Sequence, residues 1–308
     1  MAKLIKRELI LAKAETAYGD DANPTGADDA VLVENIGWSY AGARMIERNP
    51  VKPALGMLQG IFAGTLMEVT FDVELKGSGT AGTAPEFGPL LRACGLAETI
   101  SAGTSVEYLP ASSAHESATL YFHEDGSLYK LTGCRGTVSG NLETGTAGKL
   151  SFTLTGHING PTDASLPTAS YDASKPPPVI NAGFSVGSYA AVINTLSLDL
   201  GNTIATPPSM SAEDGYGEIL ITDRDVTGSF DPQATTVAQQ DWAGDWRTGS
   251  AKTMTTGVIG TTAGNRYQLA ISEAWYKELA PGDREGQRTY EIGFGAAGGD
   301  DAFTLTFT

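Results

Sequence analysis

One pattern constrains the fold of this chain more than any other: apolar and hydroxyl side chains alternate strictly, in two places. Residues 149–157 read KLSFTLTGH, and residues 301–308 read DAFTLTFT. Leu150, Phe152 and Leu154 alternate with Ser151, Thr153 and Thr155. Phe303, Leu305 and Phe307 alternate with Thr304, Thr306 and Thr308. A period of two belongs to a strand with one face in a core and the other in water. The upstream order also recurs. A strand at 66–76 (LMEVTFDVELK) precedes a helix-like stretch at 86–96. A strand at 225–231, within DRDVTGSFD, precedes another at 235–247. The spacing between copies is too long for a solenoid unit and suits two small domains. The sequence therefore predicts a mainly β protein of two tandem β-sandwich domains, each with one packed helix. Residues 1–30 form an N-terminal arm and loop. Residues 31–158 form the first domain, with a long loop at 40–64. Residues 159–178, rich in Pro and Ser, form a linker, and residues 179–308 the second domain.

Composition narrows the function. The chain has 308 residues, 38 of them Gly, and a formal net charge of −16. Residues 1–158 carry 12 Lys/Arg against 18 Asp/Glu, and residues 159–308 carry 8 against 18. Tight nucleic-acid binding needs clustered cations that displace counterions, so this balance argues against it. No stretch reaches the roughly 20 apolar residues of a membrane-spanning helix. The run Leu9–Ala12 is too short for a signal-peptide core, which predicts folding in the cytoplasm. Cys94 and Cys134 are far apart and read as buried thiols. His115, His123 and His157 lack metal-ligand spacing, and no cofactor motif occurs. Asp21, Asn23 and Thr25 open like a calcium loop, but Leu32 stands where a bidentate Glu belongs. Ser112, Ser113 and His115 are sequence neighbours without triad geometry. No enzyme is expected.

Along the chain, further strands are predicted near 104–109, 117–123, 127–133 and 135–142, with a hairpin turn at Asp125-Gly126. Residues 1–15 suit a short amphipathic segment, or an arm that orders on a partner. The loop 40–64 carries exposed-looking apolar residues such as Leu55. With Arg44, Arg48 and Lys52 it is the one locally basic loop of an acidic chain, which suits an acidic partner surface. Loop 203–217 corresponds to it in the second half. Trp242 and Trp246, four apart, suit a helix stapled to a sheet. Glu68, Thr70, Asp72 and Glu74 form the polar face of the 66–76 strand. Asp225, Thr227, Ser229 and Asp231 do so at 225–231, against Val226 and Phe230.

Several segments resemble the major tail tube proteins of bacteriophages with long, non-contractile tails. They are LIKRELILAKAETAYGDDANPTGADDAVLV at the start, RNPVKPALG at 48–56, the stretch 64–99, and YKLTGCRGTVSGNLETGTAGKLSFTLTG at 129–156. The likeness covers residues 1–158 well and 180–308 more weakly. It implies a subunit of the virion tail, made in the bacterial host cytoplasm, that forms rings. The rings stack into a β-barrel-lined tube through which DNA passes without specific binding. The resemblance implies no cofactor. It implies tape-measure and tail-end adaptor proteins as partners. This chain departs from the family in doubling the tube domain. Single-domain relatives are expected to form six-fold rings, so three doubled chains would fill one ring; a homohexamer is the alternative. Arg44, Arg48, Lys52 and Leu55 are then candidates for contact between rings. Glu68, Asp72, Glu74, Asp225 and Asp231 are candidates for the lumen wall. A competing reading is a cell-surface binding module, an adhesin or carbohydrate-binding domain, with Trp242, Trp246 and Trp275 as ligand platforms.

Overall fold

The computed structural model describes residues 3–308. It is mainly β, with large antiparallel sheets and two short α-helices, as the alternation requires. In the first half the elements are β1 (Glu8–Ala14), β2 (Ala30–Val31), β3 (Val33–Ala41), β4 (Met45–Ile46), β5 (Ile61–Phe62), β6 (Leu66–Glu74), α1 (Gly88–Ala93), β7 (Leu96–Ser101), β8 (Ser105–Pro110), β9 (Ala118–Glu124), β10 (Ser127–Glu143) and β11 (Lys149–Asp163). The second half holds β12 (Phe184–Val186), β13 (Tyr189–Ala191), β14 (Thr195–Asp199), β15 (Asn202–Ala205), β16 (Leu220–Arg224), β17 (Thr227–Phe230), α2 (Trp242–Thr248), β18 (Lys252–Thr256), β19 (Tyr267–Arg284), β20 (Gln287–Ala297) and β21 (Phe303–Phe307).

The two halves pair their strands in the same order. In the first, the sheet runs β3–β6–β11–β10–β9–β1. In the second it runs β14–β17–β20–β19–β18–β12. Each half has a helix after its second sheet strand, α1 after β6 and α2 after β17. Each also has a small hairpin between its first two, β4–β5 in one and β15–β16 in the other. The halves are joined edge to edge. Ser139–Glu143 of β10 leaves β9 behind and pairs with β14, while β21 bridges β19 and β8. One continuous apolar core results, from Ile10, Phe71 and Phe152 through Leu142 and Leu196 to Phe294 and Phe307. Each fully buried aromatic or aliphatic side chain contributes about 1.5–3 kcal/mol.

This order reassigns the two FTLT strands. Phe152 of β11 lies between Phe71 and Val138. The second-half residue in that place is Phe294 of β20, between Gly228 and Tyr276. The Thr304-Leu305-Thr306 segment lies further along β19, at the bridge to β8. The shared string reports a shared face pattern, and equivalence lies in the pairing order.

Four other expectations change. The strands at 127–133 and 135–142 are one strand, β10, whose register shifts between Thr132 and Arg135. Gly133, with φ of 61°, takes up that irregularity as a bulge and not as a turn. Residues 8–14, expected in an arm, form a core strand paired with β2 and β9. In the expected linker, strand β11 continues to Asp163, and Ala164, Leu166 and Ala169 then pack on Leu9, Leu11 and Tyr121. Helix α1 is limited to Gly88–Ala93, and Leu96–Ser101 is a strand.

Candidate assembly surfaces

The most extensive surface feature is a polar sheet face that crosses both halves. Opposed residues of paired strands share a face, so the register traces it directly. One row runs Glu34, Asp72, Ser151, Ser139, Asp199, Thr227, Gly295, Trp275. It spans eight consecutive strands, from β3 to β19. Behind it lie the buried side chains Phe71, Val73, Leu150, Phe152, Leu196 and Phe230.

The face is acidic. Glu34, Glu68, Asp72, Glu74, Asp199 and Asp225 stand on or beside it. Its cations are neutralised locally, Lys149 by Glu34 at 2.6 Å and Lys277 by Asp225 at 3.1 Å. Glu68, Asp72 and Glu74 thus lie on one face, as their spacing predicts. Asp72 is held by Asn35 Nδ2 at 2.7 Å and Ser151 Oγ at 2.5 Å. The strand expected at 225–231 is shorter, Thr227–Phe230, so Asp225 and Asp231 flank it. Asp231 accepts hydrogen bonds from the backbone N–H groups of Asn194 and Thr195, both at 2.8 Å, and pairs with Arg284 at 2.7 Å. It fastens a strand entry and is not a free wall charge. Glu34 and Asp199 were missed from sequence, although Leu196 and Leu198 alternating with Thr195, Ser197 and Asp199 carried the signal.

The loop after β3 forms a second surface. Its only regular pairing is β4 with β5, Met45 opposite Phe62 and Ile46 opposite Ile61. Beyond it Val51, Leu55 and Met57 are almost fully exposed. Arg48 is exposed and Lys52 half-buried on the same loop. Arg44 is different. It donates to the Gly215 carbonyl at 2.9 Å and lies 3.8 Å over the Tyr216 ring. It clamps the base of this loop, the arm of residues 43–64, to the loop 203–217 of the second half. That loop is itself fastened: Tyr18 Oη meets His157 Nε2 at 3.0 Å, and His157 Nδ1 meets Asp214 at 2.6 Å. Burial pushes the Tyr18 hydroxyl up to about 12, and its oxygen accepts from the Ile219 N–H at 2.7 Å.

The remaining candidates are engaged elsewhere. Trp242 is buried against Tyr189, Phe230 and Tyr276, Trp246 sits at the surface beside β19, and Trp275 lies over Gly295. The three do not form one platform. Ser112 donates to Asp300 at 2.5 Å, whereas His115 Nε2 lies 2.9 Å from the Ala111 carbonyl. Asp21 holds Tyr121 and Lys130. Cys94 and Cys134 are buried free thiols, and burial raises both pKa values. No helix is long and apolar enough to cross a membrane among the described residues.

No curated protein matches the chain. A family model described as phage tail tube protein matches residues 6–307, nearly the whole length. That family is structural, which agrees with an acidic sheet face and an apolar arm as the principal surfaces. The chain therefore belongs to the phage tail tube proteins, structural subunits of the virion tail that assemble with one another into a tube and meet other tail components.

Proposed function

We propose that three copies of this chain close one ring of a long, non-contractile tail tube, and that the chain arose by duplication of a tube domain. The observation that carries this reading is the repeated strand order, β3–β6–β11–β10 and β14–β17–β20–β19, joined in one chain by β10–β14. Each four-stranded unit occupies one of six positions, so the ring is three-fold in fact and nearly six-fold in shape. Size supports the count. Strands lie about 4.8 Å apart. Three chains of eight strands then close on a circumference on the order of 115 Å, a backbone diameter near 37 Å, which admits a DNA duplex inside the side chains. Six such chains would double the bore.

In this ring the acidic face lines the lumen, DNA passes without specific binding, and the subunit has no catalytic role. The arm 43–64, with Arg48, Lys52 and Leu55, contacts the next ring. Tape-measure and tail-end adaptor proteins meet the tube inside and at its ends, and assembly takes place in the host cytoplasm. The test is the mass of a single ring from purified protein, or averaged end-on images of it. Three chains per ring are expected; six would overturn the stoichiometry, and particles without a bore would overturn the tube.

A further inference from the structure

Where the two halves meet, the continuous core leaves a gap. A cavity of about 50 Å³ lies behind the β10–β14 joint. Ten leucines line it, five from the first half, such as Leu142 and Leu150, and five from the second, such as Leu196 and Leu198. It therefore straddles the seam and belongs to neither half alone. We infer that this cavity is a binding site for a compact, uncharged apolar ligand, and that filling it tightens the junction of the halves.

The sequence makes the gap at one position. The core-facing row across the joint runs Val73, Leu150, Gly140, Leu198, Gly228, Phe294. Two glycines thus flank Leu198. At Gly228 the missing side chain is replaced, because the Phe294 ring lies where a Cβ would stand. At Gly140 nothing takes its place. A Cβ there would meet Leu150 Cδ2 at 3.3 Å, and its next neighbours are the carbonyl oxygens of Lys149 at 3.9 Å and Leu198 at 4.0 Å. Side chains that stop short of one another lose dispersion contacts on that side, and close-packed interiors leave few such gaps.

The walls select the ligand. Only Tyr267 and Lys149 bring polar side-chain atoms to them. Lys149 is drawn to the acidic face, where Glu34 holds its amino group at 2.6 Å. Tyr267 is fully buried, and its Oη has no hydrogen-bond partner among the described residues. The strand backbones alongside are paired with one another. A water in the cavity would thus find one polar group, where buried waters ordinarily hold two to four. Water is a poor occupant, and a charged molecule a worse one. A cavity that holds benzene measures about 150 Å³, so this one excludes an aromatic ring and admits a body the size of xenon or methane. Such an occupant touches side chains of both halves at once. It finds no equivalent site in the unfolded chain, so it stabilises the folded seam by mass action. The cavity is a feature of the single subunit, whatever ring that subunit enters.

Xenon is the probe. The whole unmodified chain, labelled at its leucine and valine methyl groups, is placed under xenon pressure and followed by NMR. Shifts are expected that saturate with pressure and are confined to seam methyls such as those of Leu142, Leu150, Leu196 and Leu198. Thr144 N–H donates to the Asn194 carbonyl, so by alternation Gly140 and Leu142 also turn their amides to β14. At saturation these two amides are expected to exchange several-fold more slowly. Benzene is expected to leave the same methyls unmoved. Gly140→Ala sets a methyl group into the cavity and should weaken the xenon response several-fold. Shifts scattered over both halves, or no saturable shift, would overturn the site. An undiminished response in folded Gly140→Ala would do the same; should that variant not fold, the location of the shifts in the unmodified protein decides. Benzene shifts would overturn the ligand size. Seam shifts with unchanged amide exchange keep the site and overturn its grip on the junction.

Discussion

At the scale of single residues, the chain shows how burial on two sides erases the signal that burial on one side writes. Leu9, Ile10, Leu11 and Ala12 are all buried. With both faces of β1 covered there is no alternation to read, and a short continuous apolar run does not identify its own structure. Its outer cover is the segment after β11, whose Ala164 and Leu166 look incidental in a polar, Pro-rich stretch. His123 belongs to the same neighbourhood. It lies opposite Leu9 and Leu128, is almost fully buried, and its Nδ1 has no partner among the described residues. Nearby titratable groups are Glu124 and Asp125 in the adjoining turn, both already paired with Lys3 and Arg7. Burial lowers the His123 pKa below the ordinary 6.5. A depressed folded-state pKa gives stability that is present above the unfolded pKa and lost as pH falls through the folded one. Urea midpoints at pH 7.5 and about pH 5 should therefore drop more for the unmodified protein than for His123→Leu. Equal drops would show that this histidine does not carry the effect.

Among the elements, the β4–β5 arm and the β15–β16 hairpin make the most instructive contrast. They occupy equivalent places in the two halves and behave differently. The loop that follows β15 folds back, burying Tyr216 and Ile219 against Leu66. The arm leaves Val51, Leu55 and Met57 in solvent, although the surrounding halves are well packed. An isolated two-stranded ribbon is marginal in water, so a surface of this kind calls for a partner. The sequence disclosed the arm through its missing period and its local positive charge. It could not disclose that Arg44, seven positions before Val51, is committed to Tyr216 within the same chain, since that contact joins residues 172 apart. The two arginines should accordingly separate in experiment. Arg48→Glu is expected to leave thermal stability unchanged and weaken stacking. Arg44→Glu should also destabilise the subunit by about 1 kcal/mol or more, through the lost cation–π contact and hydrogen bond. Replacing 47–60 with a short Gly/Ser turn should give folded rings that fail to stack. Normal tubes from that deletion, seen by negative stain, would remove the arm from the assembly mechanism.

For the whole molecule, the proposed lumen face raises the question of why a wall that DNA must slide along should be acidic. A lysine or arginine on such a wall binds a phosphate and releases a counterion, and many such contacts along a tube sum to a strongly salt-dependent drag. A carboxylate repels the phosphate instead, over roughly 8 Å at physiological salt. The eight-strand face follows this logic. Among the described residues, Glu68, Asp72, Glu74 and Asp199 have no cation of their own at ion-pair distance, while Lys149 and Lys277 are each held by an acid. Not every carboxylate is equally free to be changed. Asp72 is hydrogen-bonded to β3 and β11, so reversing its charge would disturb the sheet as well as the potential. Glu68 and Glu74 are the cleaner positions, half-exposed on the same strand and without such bonds. Each change to Lys moves the local charge by two, and the ring repeats it in every copy. Particles carrying Glu68→Lys and Glu74→Lys are therefore expected to assemble tubes of normal length. Their genome ejection should be several-fold slower at low salt, with the deficit shrinking as salt rises. Ejection in vitro, followed by dye binding to released DNA across a salt series, measures this. A structure of the tube with these carboxylates on its exterior would overturn the residue assignment. An unchanged ejection rate at low salt, in particles whose lysines do face the channel, would overturn the electrostatic account of the wall itself.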